Sequence, residues 1–310
     1  MADKLIDVLR PKKDVGEFWV IGESLNVIGT KIGKAFKERD PKPIQEEALF
    51  QKAKGVDMID INLGPAKKDG HELMPWVVEV VQEVVDDVPL VLDTSNIDAI
   101  EAALPKCKMP KMINSIMVRQ ARYERMVPIA AKYNADFCAL MWGPEGLPRD
   151  ENERAALLVE LMTVANEAGI PNDQMWVDGL VTPVNIQQPQ AISLMNFMDM
   201  LQEIMPGAMS TCGVSNISSG IPDHLRHVMN VTFTVMLNIH GMQSFIADCK
   251  DDVTMALAHG KRPDIFEAIQ ATMDGNAPDL KSVSEEIRNY VKSCKVILGE
   301  TLFSDSWLEV

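Results

Sequence analysis

The sequence predicts an α/β protein, a (β/α)8 TIM barrel with extra C-terminal helices. Eight short apolar runs alternate with segments of helical period, and eight parallel strands close such a barrel. Six of the eight runs end in or beside Asp or Asn, at the strand ends that form the mouth in this architecture. The 310 residues suit one large domain, since such barrels commonly use about 250. A doubly wound open sheet is the alternative fold.

The apolar runs cover residues 17–22, 57–62, 88–93, 111–114, 135–141, 175–178, 210–215 and 241–247, and are rich in Val, Ile, Phe and Trp. Helical segments between them cover 43–54, 71–86, 97–104, 119–133, 152–168, 190–204 and 222–238. Start signals stand at Asp40-Pro41, at Pro148-Arg149-Asp150 and at Ile221-Pro222-Asp223. Past residue 247 the alternation stops, and three helices are expected over 251–259, 261–273 and 284–296. We read one domain over 1–310, with an N-terminal extension over 1–16 and a helical segment over about 250–310, packed outside the barrel or used in a subunit contact.

Hydrophobic residues make up 46% of the chain, enough for a sizeable core. The 30 Lys and Arg against 45 Asp and Glu leave a formal charge of -15 with no basic run, so nucleic acid is not an expected partner. The first 14 residues lack the apolar stretch of a signal peptide, and the tempting segment 74–92 is interrupted by five acidic or amide side chains, so neither export nor a membrane span is expected. The five cysteines (Cys107, Cys138, Cys212, Cys249 and Cys294) are odd in number and contain no C-x-x-C, which fits a reduced cytoplasm.

The polar strand ends are Asn62, Asp93, Asn114, Asp178, Ser215-Asn216 and Asp248. Any one of them could cap the following helix, and Asp60 could be a buried structural carboxylate. Together they place amides and carboxylates around one cavity. A carboxylate accepts two adjacent N–H groups and an amide offers one donor and one acceptor, which matches the edge of a flat heterocycle such as a pterin or a purine. No G-x-G-x-x-G follows a strand, and no P-loop or G-x-S-x-G elbow occurs. His224 and His227 are the one close histidine pair and lack further ligands, so no metal is expected. The cluster Met195, Met198, Met200, Met205 and Met209 reads as core filler.

At these strand ends the sequence resembles the methyltetrahydrofolate:corrinoid methyltransferases, whose pterin-binding barrel is shared with dihydropteroate synthase and with the folate module of cobalamin-dependent methionine synthase. The segments that carry the resemblance are Ile21-Gly22-Glu23-Ser24-Leu25-Asn26, Asp60-Ile61-Asn62-Leu63-Gly64-Pro65-Ala66, Leu92-Asp93-Thr94-Ser95-Asn96, Met112-Ile113-Asn114-Ser115, Val177-Asp178-Gly179-Leu180, Gly213-Val214-Ser215-Asn216-Ile217-Ser218 and Phe303-Ser304-Asp305-Ser306. The resemblance implies that Asp93, Asn114 and Asp178 hold the pterin ring, with Asp178 and Asn114 on its pyrimidine edge. The implied substrate-binding set also includes Asn62, Glu23, Ser215, Ser218, Arg226 and Asn216, and Asn216 would lie closest to N5 as the catalytic residue. Ser215, Ser218 and Arg226 would lie near the mouth, Arg226 facing the benzoyl-glutamate part. The family often carries Arg after the first-motif Glu, where this chain has Ser24, and segments 1–16 and about 260–292 have no counterpart in the shorter members.

The implied activity moves a methyl group between N5 of tetrahydrofolate and a cobalamin-type corrinoid on a separate protein. The favoured direction is from methylated corrinoid protein to tetrahydrofolate in a demethylation pathway. Alternatives are delivery from 5-methyltetrahydrofolate to a corrinoid iron-sulfur protein in the acetyl-CoA pathway, and a folate-binding scaffold subunit that catalyses nothing. Dihydropteroate synthase chemistry is disfavoured, because Ser215, Asn216 and Asp248 stand where Lys and Arg would be needed. The resemblance and the Met-rich later half point to a homodimer.

Overall fold

The computed structural model describes residues 4–65 and 69–309. Ala66 of the second motif, the first three residues of the N-terminal extension and Val310 lie outside the described residues.

In chain order the first half comprises α1 (Leu5–Val8), β1 (Trp19–Asn26), α2 (Thr30–Glu38), α3 (Pro41–Lys54), β2 (Met58–Asn62), α4 (Gly70–Gln82), β3 (Leu90–Asp93), α5 (Ile97–Ala103), β4 (Lys111–Met117) and α6 (Gln120–Tyr133). The second half comprises β5 (Asp136–Leu140), α7 (Glu151–Glu167), β6 (Met175–Asp178), α8 (Val184–Ile204), β7 (Met209–Ser210), α9 (Asp223–Ile239), β8 (Ser244–Ala247), α10 (Asp252–Ala258), α11 (Pro263–Met273) and α12 (Glu285–Ile297). The strands pair in parallel in the order β7-β6-β5-β4-β3-β2-β1-β8. Between β7 and β8 a parallel bridge joins Gly213 to Ile246, and the Ile246 N–H donates to the Cys212 carbonyl at 2.9 Å. The sheet thus closes into a TIM barrel.

Strands in such a barrel are covered on both faces, so they read as continuous apolar runs, which is why all eight are visible in the sequence. Two of the three start signals work as capping predicts: the Asp40 carboxylate accepts from Lys42 N–H and Asp150 accepts from Glu153 N–H. At the third, Pro222 precedes α9 without a side-chain cap.

Three expectations need correction. Helix α2 lies between the first run and the helix at 43–54, where none was expected; its buried Ile32, Ala35 and Phe36, spaced i, i+3 and i+4, pack it on α3 and β1. The seventh strand was expected over 210–215 and spans only Met209–Ser210, because the chain leaves the sheet and forms a tight 3-10 turn over Val214–Ser218. The eighth starts at Ser244 rather than 241, because Gly241 is a left-handed turn residue with φ of 89°.

The N-terminal extension forms part of the barrel floor. Leu5, fully buried, and Leu9 pack against the lower interior side chains Trp19, Ile21, Met58, Val91, Met112, Trp176 and Met209. The Arg10 guanidinium pairs with Asp57 at 2.8 Å and donates to the Ala258 carbonyl at 3.0 Å, fastening the plug. Leu5→Ala is expected to cost about 2–5 kcal/mol in urea unfolding, as for other buried leucines. A loss below about 1 kcal/mol would show that the plug is not part of the core. At the other end, α11 and α12 pack together on α9, with α12 also reaching α8, so the C-terminal helices lie outside the barrel. The Phe303-Ser304-Asp305-Ser306 motif precedes Trp307, whose Nε1–H donates to Ser293 Oγ of α12 at 2.8 Å. Among the described residues no helix is long and apolar enough to cross a membrane.

Candidate active site

Side chains alternate along a strand, so residues two places above the apolar floor also face the interior. Above Met58, Val91, Met112 and Trp176 stand Asp60, Asp93, Asn114 and Asp178. Asn62 is one further step up β2, paired in register with Asp93 and through it with Asn114. A layer of hydrocarbon thus carries a layer of carboxylates and amides, at the C-terminal end where barrel active sites form.

Direct contacts tie this layer together. Asn62 Nδ2–H donates to Asp93, and Asn114 Nδ2–H donates to Asp60 Oδ1 at 3.4 Å. The charges of Asp178, Asp93 and Asp60 all act on the buried Cys138 thiol, which places the three carboxylates around one interior. Burial and these neighbours push the Cys138 thiol well up, and burial with Asp178 does the same to Cys212. Neither is a thiolate at neutral pH, and thus neither is an activated nucleophile.

Burial is also the main influence on the carboxylates. It pushes Asp178 up to about 6, opposed by the Leu180 N–H that donates to its Oδ1 at 2.8 Å and by the Arg154 charge. The other Asp178 oxygen has no partner among the described residues. Burial likewise raises Asp93 against the pull of Arg122 and Asn62, and raises Asp60 with help from the Asp93 charge. Two such close carboxylates in a low-dielectric interior resist carrying two negative charges at once. Glu23, at the irregular step of β1 between Gly22 and Leu25, is raised by burial and by Asp248, with Arg226 opposing.

These shifts have a thermodynamic sign. A carboxyl whose folded pKa exceeds its unfolded value stabilises the fold below the unfolded value, and that contribution is lost as pH rises through the folded one. Asp57 and Asp178 at about 6 and Asp136 at about 7 put the window between roughly 4 and 7. His227, raised by its hydrogen bond to Asp251, acts in the same direction. The melting temperature of the unliganded protein is therefore expected to fall between pH 5.5 and pH 8. A rise over that interval in a thermal scan contradicts these shifts.

The remaining expected residues lie at the rim. Ser215, Glu23, Arg226 and Asp248 line an open groove of about 500 Å³. Arg226 Nε–H donates to the buried Ser218 Oγ at 3.2 Å, and Ser218 in turn donates to the Ser215 carbonyl at 3.1 Å. Asn216 is exposed on the 3-10 turn, six residues past the end of β7, rather than on a strand end as expected. Its Nδ2 lies over Gly213, where an added Cβ would come within 3.4 Å of it. His227 Nδ1 bonds Asp251 at 2.8 Å and its Nε2 faces the Tyr290 hydroxyl at 3.4 Å.

Two arginines that brace loops at the barrel mouth were not singled out from the sequence. Arg122 of α6 donates to the carbonyls of Ser95 (2.7 Å), Thr94 (3.3 Å) and Ser115 (3.0 Å), tying together the loop after β3 and the upper part of β4. Arg154 of α7 donates to the Gly179 carbonyl at 2.7 Å. Their acceptors are largely backbone carbonyls distant in sequence, which leaves no motif to read. Asp60 was legible, since Asp60 and Asn62 share a strand face two residues apart.

Fold and site together define an α/β barrel with a polar mouth over an apolar floor. Residues 22–248 match the family model described as pterin binding enzyme, and the chain belongs to that family. It is 26% identical over 231 residues to the methylcorrinoid:tetrahydrofolate methyltransferase of Eubacterium limosum, covering 74% of this chain and 84% of that protein. It is 21% identical over 277 residues to the methionine synthase of Mycobacterium tuberculosis, covering 82% of this chain but 23% of that larger protein. Among solved structures, dihydropteroate synthase from Thermus thermophilus superposes with a TM-score of 0.59 at 23% identity, covering 81% of this chain and 94% of that one. That likeness is one of fold.

Proposed function

We propose that this protein transfers a methyl group between a corrinoid carried on a partner protein and N5 of tetrahydrofolate. The observation that carries the reading is the ring of Asp93, Asn114 and Asp178 above an apolar floor in a pterin-binding family member. The likeness to the methylcorrinoid:tetrahydrofolate methyltransferase of Eubacterium limosum supports the choice of methyl transfer within the family. The favoured direction is from methylated corrinoid to tetrahydrofolate, and the working form is a homodimer.

In this reading Asp178 and Asn114 take the pyrimidine edge, the free Asp178 oxygen accepting an N–H of the ligand. Asp93, held by Asn62, supports the ring from the neighbouring strand, and Arg226 faces the acidic tail across the groove that Glu23 and Ser215 also line. The partner's corrinoid supplies the methyl group when docked. The N5 lone pair forms the new carbon–nitrogen bond, the old methyl bond's electrons leave with the corrinoid, and the N5 proton passes to solvent. Asn216 can hydrogen-bond N5 in either protonation state, because an amide both donates and accepts. The displacement needs no enzyme nucleophile, in keeping with the protonated thiols. Exposed Ile28, Trp142 and Ile186 offer the partner an apolar contact.

Mixing the protein with tetrahydrofolate and free methylcobalamin tests the reading. Demethylation of the corrinoid, seen in its absorption spectrum, with formation of 5-methyltetrahydrofolate is the expected result. Folate binding without spectral change would favour the scaffold alternative.

A further inference from the structure

Arg154 is fully buried and every nitrogen of its guanidinium is engaged. Nε–H donates to the Gly179 carbonyl at 2.7 Å, Nη1 to Ser193 Oγ at 2.8 Å and Nη2 to Gln190 Oε1 at 2.7 Å. The acceptors are themselves anchored. Ser193 Oγ–H donates to Glu151 Oε2 at 2.9 Å, and Gln190 Nε2–H donates to the carbonyls of Arg149 (2.8 Å) and Pro148 (3.2 Å). A buried guanidinium is costly unless fully paired, so a merely space-filling role would be better served by a hydrocarbon side chain.

What Arg154 grips is the turn directly after Asp178. Gly179 has no room for a side chain: a Cβ there would come within 2.4 Å of Leu194 and 3.0 Å of Phe197, both on α8. Leu180 adopts a left-handed conformation with φ of 70°, which non-glycine residues seldom do, and this aims its N–H at Asp178 Oδ1. The turn is thus held by α8 on one side and by the guanidinium on the other.

We propose that Arg154 is a positioning residue for folate: from α7 it locks the Asp178–Gly179–Leu180 turn so that Asp178 presents a fixed, ionised carboxylate to the ligand's N–H edge. This rests on the folate reading given above. The charges around the guanidinium are Asp150, Glu151 and Glu153 at the start of α7 and Asp178 on β6. From α8 it meets the neutral Gln190 and Ser193. Asp178 in turn acts on the Cys138 and Cys212 thiols, which are neutral at the pH values concerned, and shares the interior around Cys138 with the raised carboxyls of Asp93 and Asp60.

The test is calorimetric titration of the full chain with 5-methyltetrahydrofolate from pH 5 to pH 8. Wild-type affinity is expected to fall in two steps, near pH 7 as Asp93 gains its proton and below about pH 6 as Asp178 does, and the midpoint of the second step is the one read here. Arg154→Gln removes the charge and should move that midpoint upward by on the order of one unit. Arg154→Lys keeps the charge but cannot fork to three acceptors, so the midpoint should stay while affinity weakens about tenfold at every pH. A wild-type midpoint in Arg154→Gln, or wild-type affinity in Arg154→Lys, overturns the proposal; if the Gln variant does not fold, the Lys variant decides alone. If the wild type binds no folate at any pH, the functional reading fails instead. Carbon-13 titration of the Asp178 carboxyl in the unliganded protein then tests Arg154 separately, an unchanged midpoint in Arg154→Gln overturning its role.

Discussion

Asn216→Ala is expected to lower turnover by about 10- to 1,000-fold while changing folate affinity only a few-fold, by analogy with loss of a single transition-state donor. The asymmetry follows from where the residue sits. Asn216 is on an exposed 3-10 turn at the rim, and no hydrogen bond of its side chain to another described residue competes for its amide. On the proposed reading it would add little to holding the pterin, a role given to the buried strand-end groups. Its contribution falls on the step in which N5 exchanges a proton for a methyl group, since an amide can follow that change by rotating. Single-turnover kinetics at saturating folate, beside equilibrium binding, separates the two quantities. An equal loss in both, or a loss in neither, removes Asn216 from the role assigned to it.

Asp178→Asn is expected to do the converse, weakening folate binding by about 10- to 100-fold, the value of one or two hydrogen bonds to a charged acceptor. The substitution preserves volume, and its side-chain oxygen can still accept from Leu180 N–H. It replaces the free oxygen by a donor that faces the ligand's own N–H groups. Turnover at saturating folate should change far less. The control is Asp60→Asn on β2, buried below Asn62 and bonded by Asn114: it should alter stability and its pH dependence more than affinity. Equal affinity for wild type and Asp178→Asn would mean that the pyrimidine edge lies elsewhere.

The barrel was legible because each strand is buried on both faces, and the polar mouth because Asp60, Asp93, Asn114 and Asp178 each follow an apolar residue two places earlier, as in Met58-Ile59-Asp60 and Trp176-Val177-Asp178. That switch from hydrocarbon to carboxylate within one strand face marks the boundary between floor and ligand layer. The rim was less legible. Asn216 reads like one more strand end, yet the short β7 and the turn after Gly213 put it on a loop, a matter of local backbone geometry that periodicity does not report. Helix α2 was within reach, since Ile32, Ala35 and Phe36 follow the helical period, but the stripe covers little more than one turn of a lysine-rich segment. Leu5 and Leu9 gave no sign of reaching the barrel floor, since nothing local distinguishes a plug from a surface helix. Arg122 and Arg154 were invisible for a different reason: they bind loops from neighbouring βα units, and such partners exist only once the barrel has closed.

The most direct test of the account is a structure of the protein with 5-methyltetrahydrofolate bound. The pyrimidine edge is expected within hydrogen-bonding distance of Asp178 and Asn114, with Asp93 against the ring and N5 turned toward Asn216 at the open rim. A pterin bound outside the barrel mouth, or one inside it with N5 buried away from Asn216, would contradict it.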